Sequence, residues 1–193
     1  MPLFLSLMKD LIMKKLFGLG ILSLGLFLTS CEDGIELDIA FDESIEKEFI
    51  IPAQADTSVA GTENFDLAGA NTELNDNLEN IKELEITSLK LTTEILEGPD
   101  AGTSCEMAFS GDIKINDNPF VYGDSGYSTL ANFVATSPVD LALAGEGLGN
   151  AILAALKAGD LVSLNYLAGF KNTGEQYKVK VTVQMNGKAV GEL

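Results

Sequence analysis

Beyond position 35 the chain alternates apolar and polar residues with a period of two over most of its length. Ile35, Leu37, Ile39 and Phe41 alternate with Glu36, Asp38 and Ala40, which predicts a half-buried strand. Ile45, Phe49, Ile50 and Ile51 make a second apolar stretch that Pro52 ends. The segment 53–62 is small and polar and reads as a loop, with a short strand at 64–67. Leu84 and Ile86, then Leu89, Leu91, Thr93 and Ile95 alternate again, and the phase slips near Ser88, as a β-bulge would make it. Gly98-Pro99-Asp100-Ala101-Gly102 is a turn cluster. After it, Cys105, Met107, Phe109, Gly111, Ile113 and Ile115 share one face of the clearest strand, and Phe120 to Tyr122 returns as its hairpin partner. Val162, Leu164, Tyr166 and Ala168 form another strand. Tyr177, Val179, Val181, Val183 and Met185 form the last long one, with Asn186-Gly187 as a turn signal.

Helical spacing is confined to two places. Asn71 or Thr72 can cap a short helix whose Leu74, Leu78 and Ile81 fall on one face. Ser137-Pro138-Val139-Asp140 reads as a second helix start, with the helix continuing through Leu141, Leu148, Ile152 and Leu156 to a stop at Gly159. Gly145, Gly147 and Gly149 weaken its middle, so it reads equally as two short helices. Seven or eight long alternating strands, each with one wet face, predict a mostly β fold: an antiparallel β-sandwich, immunoglobulin-like in broad outline, with one or two short helices. There is no Cys-Trp-Cys signature and no internal repeat.

The first 30 residues follow a different pattern. Lys14-Lys15 precede the apolar run Leu16 to Leu28, thirteen residues that are too few to span a bilayer core as a helix of about 20. Small residues Thr29 and Ser30 lead into Cys31. This basic, apolar, small-residue order is that of a secretory signal. Closed by Leu28-Thr29-Ser30-Cys31, it resembles a bacterial lipoprotein signal peptide with its lipobox. The resemblance implies cleavage between Ser30 and Cys31 and diacylglyceryl transfer to the Cys31 thiol, so that lipid alone tethers the protein to a membrane. The expected organisation is a signal helix at 1–30, an acidic stem at 31–34 and the sandwich at 35–193. Met13 begins a more conventional signal than Met1, so 1–12 read as an upstream extension of the natural start; either start yields the same mature chain. Glu32-Asp33, just after the cysteine, resemble an export signal in some Gram-negative groups and a retention signal in others, or form a solvated stem.

Cleavage sharpens the charge. The whole chain carries −17; removing 1–30 takes away three lysines and one aspartate, leaving 28 acids against 9 lysines, a net −19. Nothing in it is Arg, His or Trp. An acidic surface without arginine repels phosphate backbones, so no nucleic-acid partner is expected. Without histidine, Ser-His-Asp and Cys-His catalysis and His-ligated metal sites are excluded within the chain. With Cys31 lipidated, Cys105 stands alone; its alternating context reads as a small buried apolar residue.

The remaining candidates are few. Asp117, Asn118 and Asp124 surround a turn, and Asn75, Asp76, Asn77 and Glu79 sit on the short helix; oxygen-rich loops of this kind can hold calcium. Neither has EF-hand spacing, and turn formation alone accounts for Asp117 and Asn118, so neither a metal nor another cofactor is expected. Gly145-x-Gly147-x-Gly149 lacks the strand and lysine of a phosphate loop. Phe120, Tyr122, Tyr127 and Phe133 are residues that could line an apolar groove beside the alanine-rich helix, with ordinary core packing as the plainer reading. The mature domain is similar to small envelope lipoproteins of unknown function in its stem and strand–helix–strand order, which transfers no activity. The expected protein is a non-enzymatic envelope lipoprotein, on the periplasmic or exposed face of the outer membrane. It would act as a binding or structural module for an envelope protein partner. The alternatives are a carrier of a small apolar ligand under the helix and a carboxylate-dependent hydrolase.

Overall fold

The computed structural model describes residues 36–115, 118–141 and 147–193; the side chains of 121 and 122 lie outside that description. The signal segment, Cys31, Ile35, Asp117 and Gly145 therefore fall outside the described residues.

Leu37–Glu192 forms one compact unit, an antiparallel β-sandwich. The strands are β1 (Glu36–Ile51), β2 (Asp56–Phe65), β3 (Ile81–Glu97), β4 (Cys105–Ile115), β5 (Asn118–Asp124), β6 (Ser128–Thr129), β7 (Val139–Asp140), β8 (Val162–Asn172) and β9 (Tyr177–Glu192). One sheet runs β1-β9-β3-β7; the other runs β2-β8-β4-β5, with β6 also paired to β4. Among the described residues four short α-helices are interspersed: α1 (Leu67–Ala70), α2 (Thr72–Asp76), α3 (Leu130–Thr136) and α4 (Leu148–Ala158). The sandwich and the wet outer faces agree with the sequence pattern.

The core lies between the two inner faces. Strand β9 buries every odd residue from Tyr177 to Gly191, and β8 buries every even one from Val162 to Asn172. Across the gap, the Phe49 ring of β1 meets Tyr166 edge-on at 6.1 Å and Phe170 at 5.4 Å, while Phe109 stacks on Tyr166 at 6.0 Å. Aromatic pairs at such distances add about 0.5–1.5 kcal/mol each beyond the area they bury.

The two sides of the sandwich close differently. Helices α3 and α4 pack beside β3 and β4 and cover one side. On the other side, β1 and β2 face each other as the edges of their sheets, and there inward positions carry charge. Lys47 of β1 pairs with Glu63 of β2, and the half-buried Glu43 accepts the Asp66 N–H. On the outer face of the first sheet, the lysines of β9 bridge to acids on both neighbours: Lys188 to Asp38, Lys178 to Glu48 and Lys180 to Glu94. The first two pairs step in opposite chain directions, as antiparallel neighbours must.

Several expectations are corrected. The two apolar stretches between 37 and 51 are one continuous strand; the apolar pattern breaks only because Glu43 and Lys47 take inward positions at the sheet edge. The loop expected at 53–62 is mostly strand β2, paired with β8 from Asp56↔Lys171 to Phe65↔Val162. An edge strand needs a neighbour on one side only and tolerates small polar residues, which hid it. Ser137-Pro138 does not begin a helix. Ser137 ends α3: its hydroxyl donates to the Phe133 carbonyl at 2.6 Å and accepts the Thr93 N–H at 2.9 Å. Val139–Asp140 then pairs with Leu91 and Lys90. Asn186-Gly187 makes no turn. Strand β9 runs straight through it, opposite a register shift between Ile86 and Ser88, which is the bulge the phase slip near Ser88 predicts. Gly187 is required there because Phe41 and the Glu85 carbonyl occupy the place of a side chain.

Candidate functional site

Asn118 opens β5 opposite Ile115, and Asp124 closes it opposite Ser110. Six steps of about 3.3 Å put them roughly 20 Å apart, so they cannot share a cation. Asp124 instead accepts the Gly126 N–H at 2.8 Å in its own turn. On the short helix, Asn71 is the cap and accepts the Leu74 N–H at 2.9 Å; Asn77 donates to the Glu73 carbonyl. Among the described residues no group of three His, Cys, Asp or Glu is placed to hold a metal ion.

The aromatic candidates also separate. Phe133 is buried in the core from α3, and Phe120 packs partly against it. Tyr127 lies on the outer face of the second sheet, its hydroxyl end over Gly169 and the Lys171 ammonium 4.0 Å from its ring centre. The side chain of Tyr122 is outside the described residues. Among the described residues these aromatics line no shared groove. Between the sheets, the cavity bounded by Ile45, Phe49, Phe109, Leu164, Tyr166 and Val183 amounts to about 10 Å³, room for one water at most. A shallow open cleft of about 220 Å³ lies outside, between Glu83–Ile86 and Gly147–Asn150. Gly149 there is no phosphate-loop glycine. It is buried, and the Leu84 carbonyl stands where a Cβ would go.

Cys105 is fully buried, as its strand position implies. Burial, reinforced by the Asp100 charge, pushes its thiol up to about 11, so it is protonated and unreactive at neutral pH.

One polar constellation has no counterpart in the sequence patterns. Asp100, in the turn between β3 and β4, accepts hydrogen bonds from the Tyr177 hydroxyl, the Thr103 hydroxyl at 2.8 Å, and the N–H groups of Gly102 and Ser104 at 3.1 Å each. Tyr177 is wholly buried, and its hydroxyl also meets Ser104 Oγ at 2.8 Å. The Tyr177 hydrogen bond, with that from Thr103, holds the Asp100 carboxyl well below the usual range. Burial, with the Asp100 hydrogen bond, pushes the Tyr177 phenol up. The shifts diverge, so neither group exchanges its proton near neutrality. The cluster is a static clasp that ties the 98–104 turn to the start of β9. Beside it, Asn172 donates to the carbonyls of Pro52 and Glu175 and joins the 52–55 and 173–176 loops at the same end. Asp100 and Tyr177 lie 77 residues apart, and nothing local pairs them.

No family model matches the chain, and no curated protein matches it. The solved structures it matches include a viral capsid protein and two plant viruses. A decameric BFDV capsid protein is 11% identical over 79% of this chain and 99% of its own, with a TM-score of 0.43. The protein of Desmodium yellow mottle tymovirus is 13% identical over 84% of each chain, at 0.39. That of turnip yellow mosaic virus is 9% identical over 81% and 96%, at 0.33. At such scores the likeness assigns nothing to this chain.

Proposed function

We propose that this chain is a lipid-anchored bacterial envelope protein, held at the outer membrane through acylated Cys31, whose sandwich is a binding or structural module. The observation that carries the reading is the order Lys14-Lys15, apolar Leu16 to Leu28, then Thr29-Ser30-Cys31. Two further features support it. Among the described residues no helix is long and apolar enough to cross a membrane, so a tether made of lipid suits this domain. Its two shifted carboxylates also lie apart: Glu43 sits at the β1–β2 edge and Asp100 in the β3–β4 turn, whereas a hydrolytic carboxylate pair would share a cleft. The carrier alternative places its ligand under the helix, where the cleft beside α4 is a shallow, open one of about 220 Å³ that would not enclose an apolar molecule; the gap between the sheets amounts to about 10 Å³.

Intact mass and fragmentation of the N-terminus purified from native membranes test the reading. The expected product begins at Cys31 and carries acyl chains. An N-terminus with unmodified Cys31 overturns it. Cys31→Ser is expected to abolish acylation and leave the sandwich folded.

A further inference from the structure

Sheet edges expose unpaired backbone N–H and C=O groups, and proteins blunt them with charge, proline, bulges or shortness. Among the described residues the edge strands are β1 and β7 in one sheet, and β2 in the other, opposite an edge that β5 and β6 share. Three of these edges are blunted. Strand β7 has two residues. Strand β5 carries Pro119 and faces a register shift between Gly111 and Asp112, and β6 is again two residues long. Strand β1 presents Asp38, Asp42, Glu46 and Glu48 outward and Glu43 and Lys47 inward.

Strand β2 differs. From Thr57 to Thr62 its sequence is TSVAGT, six residues without a charge or a proline. Ser58, Val59 and Ala60 are exposed. At Gly61 the Tyr166 ring fills the place of a side chain from beneath, so the backbone stands bare there. A strand glycine often marks close approach by another backbone. Glu63, at the end of this window, is already engaged by Lys47.

We infer that the free edge of β2 over Thr57–Thr62 takes an extended, basic segment of a partner protein as an added strand. Main-chain hydrogen bonds supply affinity in this mode, and alternate side chains supply specificity. Charge selects the occupant. The domain from 31 onward carries −19, and Asp56 opens the strand directly beside the window. A lysine-rich strand is attracted to this edge, whereas a second copy brings a like charge of −19. The inference rests on the reading of the sandwich as a binding module and names the chemistry of its partner.

The test uses the full lipidated chain and two synthetic peptides of about ten residues, a common strand length, one alternating Lys and Val and one alternating Glu and Val. Hydrogen exchange resolved by residue is the readout. The Lys–Val peptide is expected to slow exchange at Thr57–Thr62, and the Glu–Val peptide to leave it unchanged. Ala60→Lys should weaken Lys–Val binding about tenfold or more through like-charge contact, while Ser44→Lys on β1 leaves it nearly unchanged. The inference is overturned by slowing elsewhere without slowing at Thr57–Thr62, or by equal weakening from both lysine variants, which means diffuse charge attraction. Protection of Thr57–Thr62 that rises with protein concentration alone also overturns it, in favour of self-pairing. The N-terminal mass of the same sample reports separately on the lipid anchor.

Discussion

Gly149→Ala sets helix propensity against tertiary packing and expects packing to win. Alanine is preferred over glycine within helices by about 1 kcal/mol. On local grounds the substitution in the first turn of α4 should therefore stabilise the protein. In the fold, a Cβ at position 149 runs into the carbonyl carbon and oxygen of Leu84 and comes within 3.2 Å of Glu85 Cα. These are backbone atoms of β3, held in register against Ala189 and Lys188 of β9, so they cannot swing aside. The helix must lift instead. Its underside buries Leu148, Ile152, Leu153 and Ala155, and fully burying one large aliphatic side chain is worth about 1.5–3 kcal/mol. Overpacking of this kind costs about 1–3 kcal/mol, which exceeds the propensity gain. The expected result is a net loss of up to about 2 kcal/mol, read as a lower urea midpoint and a Tm lower by about 2–4 °C for each kcal/mol. An unchanged m-value would mean that α4 stays docked in the variant; a reduced one, that it detaches. Ala154→Gly on the exposed side calibrates propensity in the same helix. If Gly149→Ala proves as stable as the wild type or more so, the close approach of α4 to β3 is wrong.

Three further outcomes are expected. Glu43, raised mainly by burial and further by Asp66 and Asp42, contributes stability at acid pH that is lost as pH rises through its folded pKa. Glu43→Gln should therefore raise Tm at pH 7 and have little effect near pH 3; an equal rise at both refutes the burial argument. Asp100 has the opposite sign: its depressed pKa contributes stability that is present above the unfolded carboxylate range and lost as pH falls below about 4. Asp100→Asn should then be destabilising at pH 7 and progressively less so in acid, measured by thermal melts across pH. Cys105, buried and with its thiol pushed up to about 11, should resist iodoacetamide at pH 8 in the folded protein and react once urea unfolds it; rapid labelling of the native state refutes its burial.

The strand content was legible wherever both sheet faces differ in polarity. The alternation in 105–115 and 177–185 states which residues face inward, and the phase slip near Ser88 marks the bulge opposite Asn186 and Gly187. Local signals misled where a partner outweighed them. Asn-Gly reads as a turn until Phe41 and the Glu85 carbonyl demand a residue without a side chain. Ser-Pro reads as a helix start until the Ser137 hydroxyl is claimed by Phe133 and Thr93. Asp117, Asn118 and Asp124 look clustered in sequence, but a strand between Asn118 and Asp124 holds those two at its opposite ends.

By itself, the sequence determined what depends on composition and short-range order: the run Leu28-Thr29-Ser30-Cys31 after an apolar stretch, a net −19 from Cys31 onward, a chain without His or Arg, and a two-layer β fold. These follow from residue counts and a period of two, which need no knowledge of neighbours. Only the tertiary structure decided which strands became edges, that β2 is the edge left unblunted, and that Asp100 clasps a tyrosine 77 residues away. Edges and clasps are relations between distant segments, set by sheet order and by which buried polar group finds a partner.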